Sequence, residues 1–174
     1  MAEEKKEAWL SYLALTTVVF AVCATLSTLK GGGYSTKSVM SQAQASDQWS
    51  YFQSKSIKGY LYELQRDKLE LELKAGVRAA GDYRKKIDYY QQEITRYKGE
   101  KEEIRKKAED FEKTRDEARV HSGAFGMAAM FLQIAILLSS IAALMKQKYF
   151  WFLGMGTGCI GLLYFANGFL LFMK

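Results

Sequence analysis

Three uncharged apolar segments constrain the fold of this chain most strongly. Residues 9–29, 124–145 and 149–173 contain no charged side chain. Each meets the roughly 20 residues that an α-helix needs to cross a hydrocarbon core of about 30 Å. The sequence therefore predicts three transmembrane helices, at residues 9–29, 123–145 and 149–173. A charged tail, 1–8, precedes the first, and a short basic loop, 146–148, joins the second to the third.

The first apolar segment is predicted to stay attached as a signal anchor. Lys5 and Lys6 precede it, as in a secretory signal, but no small-x-small cleavage site follows in ATLSTLKGGG. Both cysteines, Cys23 and Cys159, lie inside apolar segments, which excludes a disulfide framework in the polar part of the chain. They are predicted to be packing residues.

The long interval between the first two apolar segments is polar and of mixed charge. Between Lys30 and Ser122 there are 20 Lys and Arg against 16 Asp and Glu, interleaved along the chain. Charges mixed in this way are typical of a solvated helix surface. Nucleic acid is therefore not expected as a partner, despite the formal net charge of +6.

This interval, 38–122, is predicted to be a long antiparallel helical hairpin. Apolar residues recur at alternating spacings of three and four, with Ile57, Leu61, Leu64 and Leu71 before a glycine-flanked turn near 76–82 and a longer series from Tyr83 to Ala118 after it. Such spacing is typical of coiled-coil packing. Both ends of the interval must return to the same membrane face, so a hairpin is favoured over one long helix. The predicted fold is an all-α integral membrane protein with a coiled-coil hairpin between its first and second transmembrane helices.

Glycines at 31–33 predict a hinge over residues 30–37, because three consecutive glycines cost helix propensity heavily. A new helix capped by Ser35 or Thr36 is expected to follow. Lys30, Ser35 and Lys37 are then candidates for contact with a lipid phosphate, since helix N-termini and lysines both favour anions. A plain hinge with no ligand is favoured over this contact, because three glycines already account for the break.

Sidedness follows from the basic residues of the short segments. Lys146 and Lys148 share a side with Lys5 and Lys6, and the positive-inside rule gives short loops the most influence. We expect the N-terminus inside the cytoplasm and the hairpin outside it.

The segment SQAQASDQWSYFQSKSIKGYLYE, residues 41–63, is the principal candidate site. Its aromatic residues point in several directions around a helix, so a single partner helix does not cover them all. The predictions are an oligomer interface or the wall of a wet vestibule, with aromatic anchoring in the lipid headgroup region as the alternative. The candidate residues are Gln44, Asp47, Gln48, Trp49, Tyr51, Phe52 and Gln53.

The apolar segments carry glycines and two amides of interest. Gly156, Gly158 and Gly161 match a dinucleotide-binding pattern, but no strand precedes them, so Gly154, Gly158 and Gly161 are interpreted as a small-residue groove for helix packing. Burying the side-chain amides of Gln133 and Asn167 in the hydrocarbon core costs free energy unless they form hydrogen bonds. They are predicted to hydrogen-bond between helices and fix an oligomer, or else to line a polar path.

No enzymatic function is predicted. His121 is the single histidine, and the sequence contains no HExxH, CxxC, GxSxG or phosphate-binding motif. No metal and no cofactor are expected.

The run QASDQWSYFQSKSIKGYLYE, with TLSTLKGGGYST before it and RYKGEKEEI and LLSSIAALMKQKYFWFLG after it, resembles a family of bacterial membrane proteins known only as a domain of unknown function. The resemblance covers nearly the whole chain. It implies location in the bacterial inner membrane and brings no activity, ligand or catalytic residue. Family members often have a longer, histidine-rich N-terminal tail, whereas this sequence has MAEEKKEA before its first apolar segment. A metal-binding role of that tail is therefore not carried over to this chain.

The functional hypothesis is a structural or scaffolding homo-oligomer in contact with membrane lipids. The alternative is a pore or gated channel for ions or small solutes. A weaker alternative is a lipid- or partner-sensing membrane anchor.

Overall fold

The computed structural model describes residues 2–76 and 80–173, with side chains described from residue 9 onward except that of Ala80. Three α-helices account for nearly all of this: α1, Ala2–Lys74; α2, Ala80–Met145; and α3, Lys148–Leu170. The described residues contain no strand. Each helix includes a stretch long and apolar enough to cross a membrane. The predicted all-α class and three membrane-length helices are confirmed.

The predicted break at residues 30–37 is wrong, because α1 is helical without interruption from Ala2 to Lys74. Tertiary packing offsets the poor helix propensity of the glycines. A Cβ atom on Gly31 would lie 3.1 Å from Cβ of Phe125 in α2, so the glycine lets the two helices approach closely. The first apolar segment, the expected hinge and the polar segment beyond it therefore belong to one helix. The predicted tail is part of α1 as well, apart from Met1, which lies outside the described residues.

The turns between the helices are short. α1 ends at Lys74, and Ala75 and Gly76 form a turn in which Gly76 has a φ of 88°, a conformation that favours glycine. Within the turn predicted near 76–82, residues 77–79 lie outside the described residues, and residues 80–82 already belong to α2. Lys146 and Gln147 join α2 to α3, and Lys148 is the first residue of α3.

The helices divide into two compact units. The apolar unit comprises the chain up to Val39 and from Arg115 onward, and the polar unit is Met40–Thr114. In the apolar unit, parts of all three helices pack around two clusters of buried residues. One contains Phe20, Ala24, Leu132 and Ala135, and the other contains Trp9, Leu13 and Ala142.

In the polar unit, segments of α1 and α2 lie side by side in opposite directions. Residues 49, 55, 62 and 66 of α1 contact residues 112, 100, 97 and 91 of α2, respectively. Rising numbers in α1 thus meet falling numbers in α2. The buried residues of α2 follow the spacing noted in the sequence, and include Ile94, Tyr97, Ile104 and Ala108.

The α1 side of this contact differs from the expectation. Ile57, Leu61, Leu64 and Leu71 were expected to pack in the hairpin, but they are 60%, 55%, 64% and 67% exposed. Small residues of α1 are buried instead, among them Ser41, Ala45, Ser56 and Gly59. Gly59 lies against α2, because a Cβ built on it would lie 3.6 Å from Cβ of Tyr97.

Candidate functional site

The seven candidate residues between Gln44 and Gln53 lie on different sides of α1. Trp49 and Phe52 are half-buried on the side that faces α2, and Gln48 is half-buried beside them. Gln44, Asp47, Tyr51 and Gln53 are exposed. The segment therefore has an inner side that holds α2 and an outer side without a neighbour among the described residues.

Trp49 ties α1 to α2 through its indole. Trp49 Nε1 donates a hydrogen bond to Glu112 Oε1 at 2.9 Å. Its ring meets Phe52 edge to face, with centroids 5.6 Å apart, and the Lys101 ammonium lies 5.6 Å from the centroid of Phe52. Trp49 and Phe52 therefore stabilise the α1–α2 pair, and their role in an oligomer interface or vestibule stays a prediction.

Lys55 and Glu100 form an ion pair between the same two helices. Lys55 Nζ lies 2.6 Å from Glu100 Oε2, and the ammonium also lies 5.3 Å from the ring centroids of Tyr51 and Tyr97. This short side-chain contact lowers the pKa of the Glu100 carboxyl and raises the pKa of the Lys55 ammonium. Nothing in the amino-acid pattern identified this pair, because each residue is one of many charges on its helix.

The outer side of α1 in the polar unit carries an exposed row of residues, here called the outer stripe: Ile57, Leu61, Leu64, Lys68 and Leu71. The spacing alternates between four and three residues, which keeps the row on one side of the helix. Gln44, Asp47, Tyr51 and Ser54 precede it at spacings of three and four and are exposed too. A row of large aliphatic side chains in the polar unit is thus left mostly uncovered by α2.

The glycine groove predicted in α3 lies against the other helices of the same chain. A Cβ on Gly158 would lie 2.2 Å from the Phe20 ring of α1, and one on Gly161 would lie 2.8 Å from Leu132 Cγ of α2. Gly154 faces the backbone of Ala135, with 3.1 Å from its Cβ position to the carbonyl oxygen.

Gly168 completes the row and was missed. A Cβ there would lie 2.7 Å from the Phe125 ring. Its position seven residues after Gly161 was the signal that could have revealed it, since the spacing continues the same face of the helix.

The two amides of the apolar segments have different surroundings. Asn167 is 4% exposed, its Oδ1 accepts a hydrogen bond from the backbone N–H of Met173 at 2.7 Å, and its backbone carbonyl accepts one from Leu171 N–H at 2.8 Å. Asn167 therefore caps the end of α3, and its hydrogen bonds among the described residues are to this helix end and not to another helix. Gln133 is exposed and has no hydrogen-bond partner among the described residues.

An aromatic cluster near the carboxyl end of α3 was also missed. The ring of His121 stacks on Tyr34 with centroids 4.5 Å apart, and Nδ1 lies 2.8 Å from the carbonyl oxygen of Gly168. Because a carbonyl only accepts, Nδ1 carries the hydrogen in this bond. Ser122 Oγ donates to the carbonyl oxygen of Gly31 at 3.1 Å. Together these bonds join α2 to both neighbouring helices.

The proposed phosphate contact at Lys30, Ser35 and Lys37 loses its premise. The three residues lie within α1, so no helix N-terminus offers free backbone N–H groups there. Lys30 and Lys37 instead line a shallow groove of about 370 Å³ with Gly33 and Tyr34. The two ammonium groups remain available to an anion, without the helix end that favoured a specific site.

Metal-ligating side chains do not cluster in the part of the chain that the structure describes: no three of His, Cys, Asp and Glu come together there.

Over the residues that the structure describes, the protein is all-α, with three helices that are long and apolar enough to cross a membrane. The family model for a domain of unknown function, DUF4337, matches residues 9–171, so the chain belongs to this family. No curated protein and no solved structure shows significant similarity to the chain.

Proposed function

We propose that the chain is a non-enzymatic scaffolding protein of the bacterial inner membrane, in which three helices cross the bilayer and the polar unit forms an antiparallel coiled-coil hairpin that assembles with other copies. The observation that carries this proposal is the outer stripe. Four large aliphatic side chains of this stripe are more than half exposed on a polar unit. Contiguous apolar patches of this kind on a protein surface mark interaction sites.

The spacing of the outer stripe favours a helix as its partner. Alternating steps of four and three are the pattern by which one helix packs along another. Lys68 interrupts the apolar row and lies 4.0 Å from Glu72 on the same helix, with Asp67 next to it in sequence. A single charged residue in such a row restricts register and oligomer number, and a second copy supplies the acidic neighbours for it. The same stripe on another copy is therefore the partner that we favour.

Assembly can be tested with charged residues in the stripe. We expect the full-length wild-type protein to be oligomeric in mild detergent, and Leu61→Glu/Leu64→Glu to weaken association by at least about tenfold, because opposed carboxylates replace packed leucines. Native mass spectrometry over a concentration series measures this. Gln92→Glu/Thr95→Glu adds the same charge at the same spacing on exposed positions of α2 and is the control.

A strictly monomeric wild-type protein would contradict the proposed assembly, as would a double stripe variant that associates as tightly as the wild type. The pore and lipid-sensing hypotheses stay predictions. Exposed Asp47 and Gln53 suit a vestibule as well as an interface, so stoichiometry must be known before conductance is informative.

A further inference from the structure

A second exposed row lies on α2, within the apolar segment that is proposed to cross the membrane. Its members, here called the α2 seam, are all exposed and follow one another at spacings of four, three, four, three and four: Gly126, Met130, Gln133, Leu137, Ser140 and Leu144. Exposed aliphatic residues are ordinary on a lipid-facing surface. Small or polar residues are not ordinary there, yet they occupy every seventh position of the seam, at Gly126, Gln133 and Ser140. Their presence needs a separate explanation.

Gln133 is the informative member. It lies near the middle of 123–145, about ten residues from either end, so roughly 15 Å of helix separates its amide from either interface. A glutamine side chain does not reach that far. Ser140 satisfies its hydroxyl by donating to the carbonyl oxygen of Ile136 at 2.9 Å, whereas Gln133 has no partner among the described residues. An amide left unpaired in hydrocarbon is costly, so the surroundings must supply both a donor and an acceptor.

The seam also has room for a neighbour. A Cβ built on Gly126 meets no atom within 4 Å. The buried glycines of α3 differ, because side chains and backbone of the same chain already fill the space beside Gly154, Gly158 and Gly161. Gly126 thus offers close approach to a helix that the single chain does not provide.

We propose that the α2 seam pairs with the α2 seam of a second copy, and that the two Gln133 amides hydrogen-bond to each other. A carboxamide both donates and accepts, so it is complementary to itself. Two copies that insert into the membrane in the same direction form a parallel helix pair, in which the same residue of each copy lies opposite its counterpart. The two Gln133 amides therefore meet. The spacing of four and three residues is typical of left-handed helix pairs in membranes. This inference rests on the proposed homo-oligomer and assigns it a membrane contact separate from the outer stripe.

Disulfide formation in native membranes tests the pairing directly. In a full-length background with Cys23→Ala and Cys159→Ala, Leu137→Cys is expected to give disulfide-linked dimers on mild oxidation. Leu163→Cys, at a comparably exposed position of α3, is the control and is expected to give few.

Substitution of the amide tests the hydrogen bond. Gln133→Leu is expected to weaken dimer formation by about tenfold, whereas Gln133→Asn retains most of it, because a shorter carboxamide still donates and accepts. Removing an exposed amide from hydrocarbon does not destabilise the single chain, so an unchanged thermal midpoint in Gln133→Leu separates lost pairing from lost folding.

The outcomes distinguish this inference from the proposal beneath it. An oligomeric wild type that crosslinks through Leu163→Cys but not Leu137→Cys, or whose association is unchanged in Gln133→Leu, overturns the α2 seam and leaves the scaffold intact. A monomeric wild type in native membranes overturns both. Crosslinking through Leu137→Cys together with weaker association in Gln133→Leu supports the seam.

Discussion

At the scale of single residues, identical side chains in this molecule have different roles because their neighbours differ. Gly156 and Gly158 are two positions apart on α3, yet a Cβ at Gly156 meets nothing within 4 Å, while one at Gly158 meets the Phe20 ring. The sequence predicted interhelical hydrogen bonds for both Gln133 and Asn167. Only the structure shows that Asn167 caps its own helix and that Gln133 faces outward.

The two glycines give a matched pair of substitutions. Gly158→Ala is expected to destabilise the protein by about 1–3 kcal/mol, because the added methyl group has to displace the ring of Phe20. Gly156→Ala is expected to be neutral or stabilising by up to about 1 kcal/mol, since alanine favours helix over glycine. Thermal unfolding in detergent, followed by circular dichroism, compares them. Equal midpoints for the two variants would contradict the packing of α3 on α1.

At the scale of helices, the sequence predicted which segments are helical and failed at their limits. Apolar length predicted the membrane-length helices, and four-three spacing found the buried side of α2. The continuity of α1 through Gly31 was not predictable, because it depends on Phe125, some 90 positions away. In α1 the same spacing correctly placed the aliphatic residues of the outer stripe on one face of the helix, but the prediction that this face packs against α2 is wrong. The spacing of apolar residues shows that they share a face and does not show which neighbour covers it.

The Lys55–Glu100 pair makes the contact between α1 and α2 sensitive to pH. The lowered pKa of Glu100 means that its stabilising effect is present above the ordinary carboxyl pKa and is lost as pH falls through the lowered value. The raised pKa of Lys55 means that its effect is present below the ordinary lysine pKa and is lost as pH rises through the raised value. Between these limits the contribution is constant.

We therefore expect the unfolding midpoint of the wild type to exceed that of Glu100→Gln by a small margin near neutral pH, and the margin to close as pH is lowered from about 6 to about 3. Both chains lose other carboxylate interactions over the same range, so the difference between them is the quantity to measure. A margin that stays constant down to about pH 3 would show that the ion pair does not join the helices in solution.

At the scale of the whole molecule, the three proposed membrane crossings would put the amino-terminal end of α1 and the carboxyl-terminal end of α3 on opposite sides of the bilayer. Three apolar segments predicted this count, and the described part of the chain contains three helices of suitable length. The orientation rests on the lysines at 5, 6, 146 and 148 alone, and the amino-acid pattern gave no more than a preference because basic residues also occur in the long polar interval.

Cysteine labelling on intact spheroplasts measures the orientation. In the background without Cys23 and Cys159, Ser54→Cys is expected to react with a membrane-impermeant maleimide, and Gln147→Cys only after the cells are opened. Both positions are exposed on the protein surface, so reactivity reports sidedness. The reverse pattern would show that the orientation is opposite to the predicted one and would leave the number of crossings unchanged. Reaction of both positions in intact cells would contradict three crossings.

The spacing of the outer stripe and of the α2 seam determines the handedness of any assembly built on them. A row that recurs every 3.5 residues falls behind a straight helix of 3.6 residues per turn by about 20° in each heptad. Copies that remain in contact along such a row have to wind around one another in a left-handed sense. Both rows carry this repeat, so coiling of the same hand is required of the polar contact and of the membrane contact.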